Sequence, residues 1–165
     1  MRDILFVLLS MFVAGNILTE WRNRKALPWM SNPMSAYLAG VPWAWVQDIG
    51  FVALAGALVL FSIGPLIPQI LFLLGAVSLL MVVLTKYIAS LSKFHKTSAA
   101  LAFTSVIAGI LVRTWHTGNI ARLFAMASIC VAFLFMRFAP KKTELEEKSV
   151  ATCIVIALYA LGAAL

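Results

Sequence analysis

Residues 67–85 read IPQILFLLGAVSLLMVVLT, a stretch that contains no charged side chain. Crossing a hydrocarbon core of about 30 Å takes roughly 20 helical residues. Backbone amides in hydrocarbon must hydrogen-bond within their own segment, so this stretch predicts a transmembrane α-helix. Five other stretches meet or approach the same length, at residues 4–19, 49–64, 98–115, 120–138 and 149–165. We therefore expect an all-α integral membrane protein, a compact bundle of six transmembrane helices.

The composition of the chain excludes a water-soluble fold. Hydrophobic residues make up 63% of the 165 positions and charged residues 12%, against roughly 45–50% and about 25% in soluble domains. The charges are too few to provide a polar exterior, and they cluster between the apolar stretches. Residues 1–165 are therefore predicted to form a single transmembrane domain.

The net charge identifies the expected partner. It is +7, which in a soluble protein would favour nucleic-acid binding. Here the basic residues fall between apolar stretches, as in cytoplasmic loops that are attracted to anionic headgroups. We therefore predict membrane lipid as a partner and no nucleic acid.

The distribution of Lys and Arg predicts the orientation, given six crossings. The side with fewer basic residues holds Arg2, Arg113 and Arg122. The other side holds Arg22, Arg24, Lys25, Lys86, Lys93, Lys96, Arg137, Lys141, Lys142 and Lys148. This richer side is predicted to be cytoplasmic, so both termini lie outside the cytoplasm in a membrane of the bacterial inner type. With five crossings the termini would lie on opposite sides.

The first stretch has some features of a signal peptide, because Arg2 precedes it and Val13-Ala14-Gly15 offers small residues for cleavage. Asp3 weakens the positive start that such peptides carry. We therefore expect a membrane helix that is kept in the mature protein.

The long connection at residues 20–48 contains four of the five tryptophans, Trp21, Trp29, Trp43 and Trp45. Indole rings prefer the headgroup level of a membrane. The connection is therefore predicted to lie along the interface, with partial folding back into the bundle as the alternative.

Small residues are expected where the helices meet, because they let backbones approach closely. The candidates are Gly50, Ala53 and Ala57 on the second helix, Ser98, Ala102, Ser105 and Gly109 on the fourth, and Ala157, Ala160 and Ala164 on the last. This pattern leaves open whether the contacts lie within one chain, in a homo-oligomer or with subunits of a membrane complex.

Polar residues at the ends of the first four helices could form a mouth on the cytoplasmic side, namely Glu20, Asp48, Lys86, Lys93 and His95. A carboxylate beside a histidine there could carry out acid–base chemistry on a lipid headgroup or an isoprenoid, which makes His95, Asp48 and Glu20 the catalytic candidates. The candidate ligand-binding residues are Trp43, Trp45, Asp48, Lys86 and His95. The simpler interpretation is interfacial salt bridging, with Lys86 snorkelling to the interface.

The histidines argue against a shared metal or haem. His95 and His116 bracket the fourth helix, which places them roughly 30 Å apart on opposite membrane faces. Cys130 and Cys153 lie inside apolar stretches, where a thiol behaves as a small hydrophobe. The sequence shows no nucleophile, phosphate-loop or zinc motif, so we predict no metal and no cofactor. The alternative is a haem held by one histidine and a methionine, or held across a subunit boundary.

An ordered set of short motifs spans most of the chain: Asn32-Pro33-Met34-Ser35 with Gly40, then Gly50 and Gly56, then His95 with Ala99, Ala100 and Phe103, then Glu147-Lys148. Together they resemble the bacterial six-helix membrane family catalogued as domain of unknown function 998. The resemblance implies six helices and a structured first connection, and it lends no activity. The chain departs from that family where acidic residues are expected, at Ala36 and at Tyr87 to Ser90.

These observations favour a small polytopic membrane protein that binds a lipid or hydrophobic ligand, or that serves as a subunit of a membrane assembly. The first alternative is a membrane enzyme that acts on a lipid or isoprenoid at the polar mouth. The second is a small-solute permease, which the lack of charge near the helix centres disfavours.

Overall fold

The computed structural model describes residues 1–23, 25, 41–115, 119–138 and 143–164. Within these ranges the chain is all-helical, without a strand, as the sequence predicts. The six helices are α1 (Arg2–Asn23), α2 (Ala44–Phe61), α3 (Leu66–Tyr87), α4 (His95–Thr114), α5 (Asn119–Phe138) and α6 (Thr143–Ala163). A short 3-10 helix, Ala89–Phe94, leads into α4.

Each predicted stretch corresponds to one helix, but most helices continue past the apolar residues. For example, α1 ends at Asn23 rather than at residue 19, and α2 begins at Ala44 rather than at residue 49. A helix satisfies its own backbone hydrogen bonds, so it can extend into polar sequence at its ends. The connection between α1 and α2 is therefore shorter than predicted, and most of it, including Trp29, lies outside the described residues.

The second helix ends earlier than predicted. It stops at Phe61, and the chain reverses before α3 begins at Leu66. Gly64 in this turn has a φ of 140°, a conformation that glycine adopts readily and other residues rarely do. The backbone of the turn therefore determines where α2 ends. The length of the apolar stretch alone had predicted an end at residue 64.

In the described part of the chain, four helices, α1 to α4, are long and apolar enough to cross a membrane. Helices α5 and α6 have 20 and 21 residues, and their apolar parts within the described chain are Ile120–Val131 and Lys148–Ala163. Large apolar side chains are exposed on the outer faces, including Ile4, Ile67 and Ile120. Such surfaces indicate a membrane protein.

The helices pack mainly against their neighbours in sequence, and α6 returns to contact both α1 and α4. The first and last helices therefore lie side by side. Fully buried side chains from several helices form one core, among them Leu9 of α1, Leu58 of α2, Phe72 of α3, Ile110 of α4 and Leu158 of α6.

Helices α1 and α2 approach each other closely at two glycines. A Cβ atom on Gly15 would lie 2.8 Å from the carbonyl oxygen of Val46, and a Cβ atom on Gly50 would lie 3.3 Å from the Cα of Phe12. A side chain at Gly15 would therefore force the backbones apart. This contact is the kind through which helices associate in lipid.

The predicted stripes of small residues lie largely in the core. The buried members are Gly50, Ala53, Ala57, Ala102, Ser105, Gly109 and Ala157. Ser98 and Ala160 are half-buried, and Ala164 is exposed. Most of these residues therefore serve contacts within the chain.

Candidate functional site

The alternating direction of the helices brings six helix ends together at one end of the bundle, which we call the polar end. It contains the last turns of α1, α3 and α5 and the first turns of α2, α4 and α6. Buried polar side chains gather there, including Asn23, Asp48, Thr85 and Lys148. The polar end corresponds to the mouth that the sequence predicts.

Two hydrogen bonds join the chain just before α2 to the last turns of α1. The Thr19 hydroxyl donates to the Trp43 carbonyl over 3.2 Å, and the Asn23 amide donates to the Pro42 carbonyl over 2.7 Å. Trp43 has a φ of 65°, a left-handed conformation that costs about 1–3 kcal/mol and persists only when neighbours hold it. These hydrogen bonds fix the direction of α2 and thereby the position of Asp48, one turn further on.

Asp48 and Lys86 form the first buried ion pair. Lys86 Nζ lies 2.5 Å from Asp48 Oδ1, and the Lys86 and Asp48 side chains are 2% and 10% exposed. The Tyr87 hydroxyl donates to the other oxygen, Oδ2. Both carboxylate oxygens therefore have partners, as a buried charge requires. The expectation that Lys86 snorkels outward is wrong, because a buried carboxylate lies within its reach.

His95, the first residue of α4, contacts the end of α3. Its Nδ1 lies 2.8 Å from the Thr85 hydroxyl oxygen, and that hydroxyl donates to the Val82 carbonyl over 2.9 Å. A hydroxyl has one hydrogen to donate, and which of the two groups donates in this contact depends on the tautomer of His95. The other ring nitrogen, Nε2, is buried and has no hydrogen-bond partner among the described residues.

His95 and Lys86 line a cavity of about 50 Å³, which we call the inner cavity. Its remaining walls are apolar and include the rings of Phe12, Phe51 and Phe103. The cavity lies inside the bundle, where α1, α2, α3, α4 and α6 meet. Two polar side chains therefore border a space that is otherwise lined by hydrocarbon.

Glu20 and Lys148 form the second buried ion pair, and it joins the first helix to the last. Lys148 Nζ lies 3.1 Å from Glu20 Oε1, and the Lys148 and Glu20 side chains are 9% and 14% exposed. The sequence groups Glu20 with Asp48 and His95 in one mouth. In the structure Glu20 belongs to a different pair from Asp48, because its carboxylate forms an ion pair with Lys148 of α6.

The second ion pair borders a cleft of about 420 Å³ between α1 and α6, which we call the lateral cleft. Apolar side chains such as Val13 and Ile17 form much of its walls. It runs along α6 from Lys148 to Tyr159, about 16 Å at the helical rise. At the far end the Tyr159 hydroxyl lies 2.7 Å from the Ser10 hydroxyl.

The lateral cleft and the inner cavity are neighbours. Phe12, Ala151 and Val155 line both of them. The ring of Phe12 also packs edge-on against Phe51, with 5.5 Å between the ring centres. A thin wall of apolar side chains therefore separates the space beside His95 from the space beside Glu20.

The structure sorts the predicted ligand-binding residues into two groups. Asp48, Lys86 and His95 lie together at the polar end, as described above. Trp43 and Trp45 are exposed and line neither the inner cavity nor the lateral cleft. The exposed indoles fit the predicted interfacial position better than a place in a pocket.

Among the polar side chains of the two ion pairs and the His95 contact, three were not predicted as site residues: Thr85, Tyr87 and Lys148. Lys148 could have been found, because in six helices of alternating direction the end of α1 and the start of α6 lie at the same end of the bundle. The signal for Thr85 was its position two residues before the end of α3, close to His95 once the chain reverses. Tyr87 offered no signal beyond its place next to Lys86.

The opposite end of the bundle carries simpler contacts. Arg113 donates to the Ile63 carbonyl over 3.3 Å, and Arg122 lies over the Trp115 ring. His116 lies outside the described residues. Within the part of the chain that the structure describes, no three His, Cys, Asp or Glu side chains are grouped as metal ligands would be.

No family model, no curated protein and no solved structure matches this chain. The resemblance to domain of unknown function 998 stays a prediction, and part of its motif set, Asn32 to Ser35 with Gly40, lies outside the described residues. The geometry of the two ion pairs and the two cavities is therefore the basis for assigning a function.

Proposed function

We propose that this chain is a polytopic membrane protein that binds one phospholipid with a zwitterionic headgroup in the lateral cleft. The observation that carries the proposal is the position of the Glu20–Lys148 pair at the end of a largely apolar cleft of about 420 Å³. One part of the cleft suits a hydrocarbon chain, and the other suits a headgroup with both charges.

The size and walls of the lateral cleft fit part of a lipid chain. Pockets that hold small molecules have volumes of about 300–1,000 Å³ and mostly apolar walls. Ile17 and Ile156 line the cleft and are exposed on the outer surface of α1 and α6. In a membrane these residues would face hydrocarbon, so an acyl chain could enter sideways without crossing water.

The charges favour a zwitterionic headgroup over an anionic one. Lys148 can donate charge-assisted hydrogen bonds to a phosphate, and Glu20 can accept them from an ammonium group. A headgroup with phosphate alone would take Lys148 away from Glu20 and leave a half-buried carboxylate without compensation, which is unfavourable. A phosphoethanolamine group provides a partner for each charge.

Binding is favoured over catalysis by the occupation of the two carboxylates. Asp48 forms an ion pair with Lys86 and accepts a hydrogen bond from Tyr87, and Glu20 forms an ion pair with Lys148. A general base needs a carboxylate or imidazole within reach of the substrate proton. The carboxylate–histidine pair of the enzyme alternative is not formed, because Nδ1 of His95 faces Thr85 instead.

The proposal includes six membrane crossings and an orientation. Helices α5 and α6, with 20 and 21 residues, measure about 30 Å at the helical rise, enough to span the hydrocarbon core. The excess of Lys and Arg at the polar end supports a cytoplasmic location for that end. The termini would then lie outside the cytoplasm of a bacterial-type inner membrane, and the headgroup would lie in the cytoplasmic leaflet.

The test measures which lipid stays bound. Protein is reconstituted in equal amounts of phosphatidylethanolamine and phosphatidylglycerol, extracted into mild detergent and analysed by native mass spectrometry. We expect one retained phosphatidylethanolamine per chain. The Glu20→Gln variant should lose this preference, because it removes the partner of the ammonium group. Lys93→Gln, an exposed change at the same end, is the matched control and should retain it.

A second variant separates loss of the site from loss of the fold. Ile156→Trp fills the lateral cleft from an exposed position, so it should abolish lipid retention while the melting temperature stays within a few degrees. Retention of both lipids in proportion to the bilayer, or an unchanged preference in Glu20→Gln, would contradict the proposal.

A further inference from the structure

We infer that the lateral cleft selects lipids by the length of their acyl chain, because the Tyr159 side chain closes its far end. This inference rests on the proposed lipid binding and adds a chain of about a dozen carbons to the description of the ligand. Tyr159 is then a specificity-determining residue, whereas the Glu20–Lys148 pair selects the headgroup. The supporting observations are the contacts of Tyr159 with α1 and the end of the cleft at that level.

The Tyr159 side chain extends from α6 across to α1. Its ring stacks on the Phe6 ring, with 5.6 Å between the ring centres and 19° between the ring planes. Its hydroxyl lies 2.7 Å from the Ser10 hydroxyl, and Ser10 is about one helical turn beyond Phe6. These contacts at two successive turns of α1 hold the ring between the helices. We call the Tyr159 side chain in this position the crossbar.

The two helices meet directly on one side of the crossbar. A Cβ atom on Gly162 would lie 2.6 Å from Cδ2 of Leu5, so the backbone of α6 lies close against the Leu5 side chain. On the other side of the crossbar the cleft is open, and it is lined along α1 from Phe12 to Glu20. The crossbar therefore stands where the open space ends and helix contact begins.

The distance between the ion pair and the crossbar sets the length of chain that fits. Ser10 and Glu20 are ten residues apart on α1, which corresponds to about 15 Å at the helical rise. A zigzag hydrocarbon chain advances by about 1.3 Å per carbon when its bonds are about 1.5 Å long. The cleft therefore has room for about a dozen chain atoms, the first of which belong to the glycerol and ester groups. Among common acyl chains, a lauroyl chain comes closest to this length.

A chain that is too long for the cleft is expected to bind more weakly because it packs less well. The hydrophobic effect does not drive this selection, since a chain outside the cleft also lies in hydrocarbon. A chain that ends at the crossbar contacts both helices along its length, whereas a longer chain must bend out into the bilayer or displace the Tyr159 ring. Displacement of the ring would break its contacts with Phe6 and Ser10.

The test measures the chain length of the retained lipid. Protein is reconstituted in equal amounts of dilauroyl, dimyristoyl, dipalmitoyl and distearoyl phosphatidylethanolamine, extracted into mild detergent and analysed by native mass spectrometry. We expect the dilauroyl lipid to be enriched over the distearoyl lipid by about threefold or more. This effect is smaller than the roughly tenfold that an enclosed pocket gives for one methylene, because the cleft is open sideways.

Two variants should shift the preference in opposite directions. Tyr159→Ala removes the crossbar, so the enrichment of the dilauroyl lipid should disappear. Val13→Phe places a ring in the cleft about one turn closer to the headgroup, so retention should shift further toward the shortest chain. Tyr159→Phe is the matched control, because it keeps the aromatic ring and removes only the hydroxyl. It should keep most of the preference.

The possible outcomes separate chain selection from headgroup binding. Retention of all four lipids in equal amounts would overturn the crossbar and leave the proposed headgroup site intact. An equal preference in the wild-type protein and in Tyr159→Ala would also overturn it, since the selection would then arise elsewhere. Failure to retain phosphatidylethanolamine of any chain length would overturn both proposals.

Discussion

The two buried ion pairs at the polar end resemble each other in chemistry and differ in their surroundings. Asp48 and Lys86 join α2 to α3, and the Tyr87 hydroxyl satisfies the second carboxylate oxygen. Glu20 and Lys148 join α1 to α6 and border the lateral cleft of about 420 Å³. We call the first pair closed, because it borders only the inner cavity of about 50 Å³ through Lys86, and we call the second pair open, because both of its members border the larger cleft.

The difference shows that the role of a buried charge depends on the space next to it. A buried carboxylate whose oxygens both have protein partners contributes to holding the fold together. A pair that borders a cleft can exchange its internal bond for bonds to a ligand with both charges. We therefore assign a structural role to the first pair and a binding role to the second.

The largest expected effect follows from breaking the closed pair. Asp48→Asn leaves the Lys86 ammonium buried without a counter-charge, so the free energy of unfolding should fall by about 3–5 kcal/mol. The measurement is unfolding by denaturing detergent in mixed micelles. The Asp48→Asn, Lys86→Met double variant should recover most of the loss, because the uncompensated charge is gone.

A loss below about 1 kcal/mol for Asp48→Asn would break the comparison, since it would mean that water reaches Lys86 freely. Lys93→Gln is the control for a lysine at the same end, and no change in unfolding is expected. Its ammonium lies near the Phe94 ring and is exposed.

A smaller effect is expected for the pair beside the cleft. Glu20→Gln should lower the free energy of unfolding by about 1–2 kcal/mol, because water or a headgroup in the lateral cleft can compensate Lys148. The measurement is the same as for Asp48→Asn, performed with and without added phosphatidylethanolamine. Equal losses for the two carboxylates would remove the distinction between a closed pair and an open one.

The smallest effect sharpens the description of the closed pair. Tyr87→Phe removes one hydrogen bond to Asp48 and should cost about 1 kcal/mol, at the low end for bonds to charged groups because the tyrosine is largely exposed. Tyr159→Phe is the matched control, since its hydroxyl pairs with Ser10 at an exposed position. The control should cost less, and the reverse order would argue against a role for Tyr87.

The helical fold could be predicted from the sequence because it follows from the length of apolar stretches. Residues 67–85 predict α3 closely, since charge and polarity resume at Lys86. The end of α1 and the start of α2 could not be predicted in this way. They depend on contacts of Thr19 and Asn23 with the chain before α2, which a hydropathy pattern does not contain.

The candidate site could be predicted only in part. Proximity of Asp48, Lys86 and His95 follows from the alternating direction of the helices. The partner of Glu20 does not, because it depends on α6 returning to α1, and the sequence offers several other basic residues on the same side. The inward direction of the Lys86 side chain was missed, because a lysine at a helix end can turn outward or inward and the sequence does not show that Asp48 lies within its reach.

The contact of Glu20 with Lys148 has a consequence for biosynthesis. The carboxylate of the first helix is made early, and its ammonium partner leaves the ribosome only when the last helix is being synthesised. Until then Glu20 lacks the ammonium partner that it has in the folded bundle. Formation of this ion pair therefore coincides with the docking of α6 against α1, which makes the pair a chemical marker of assembly.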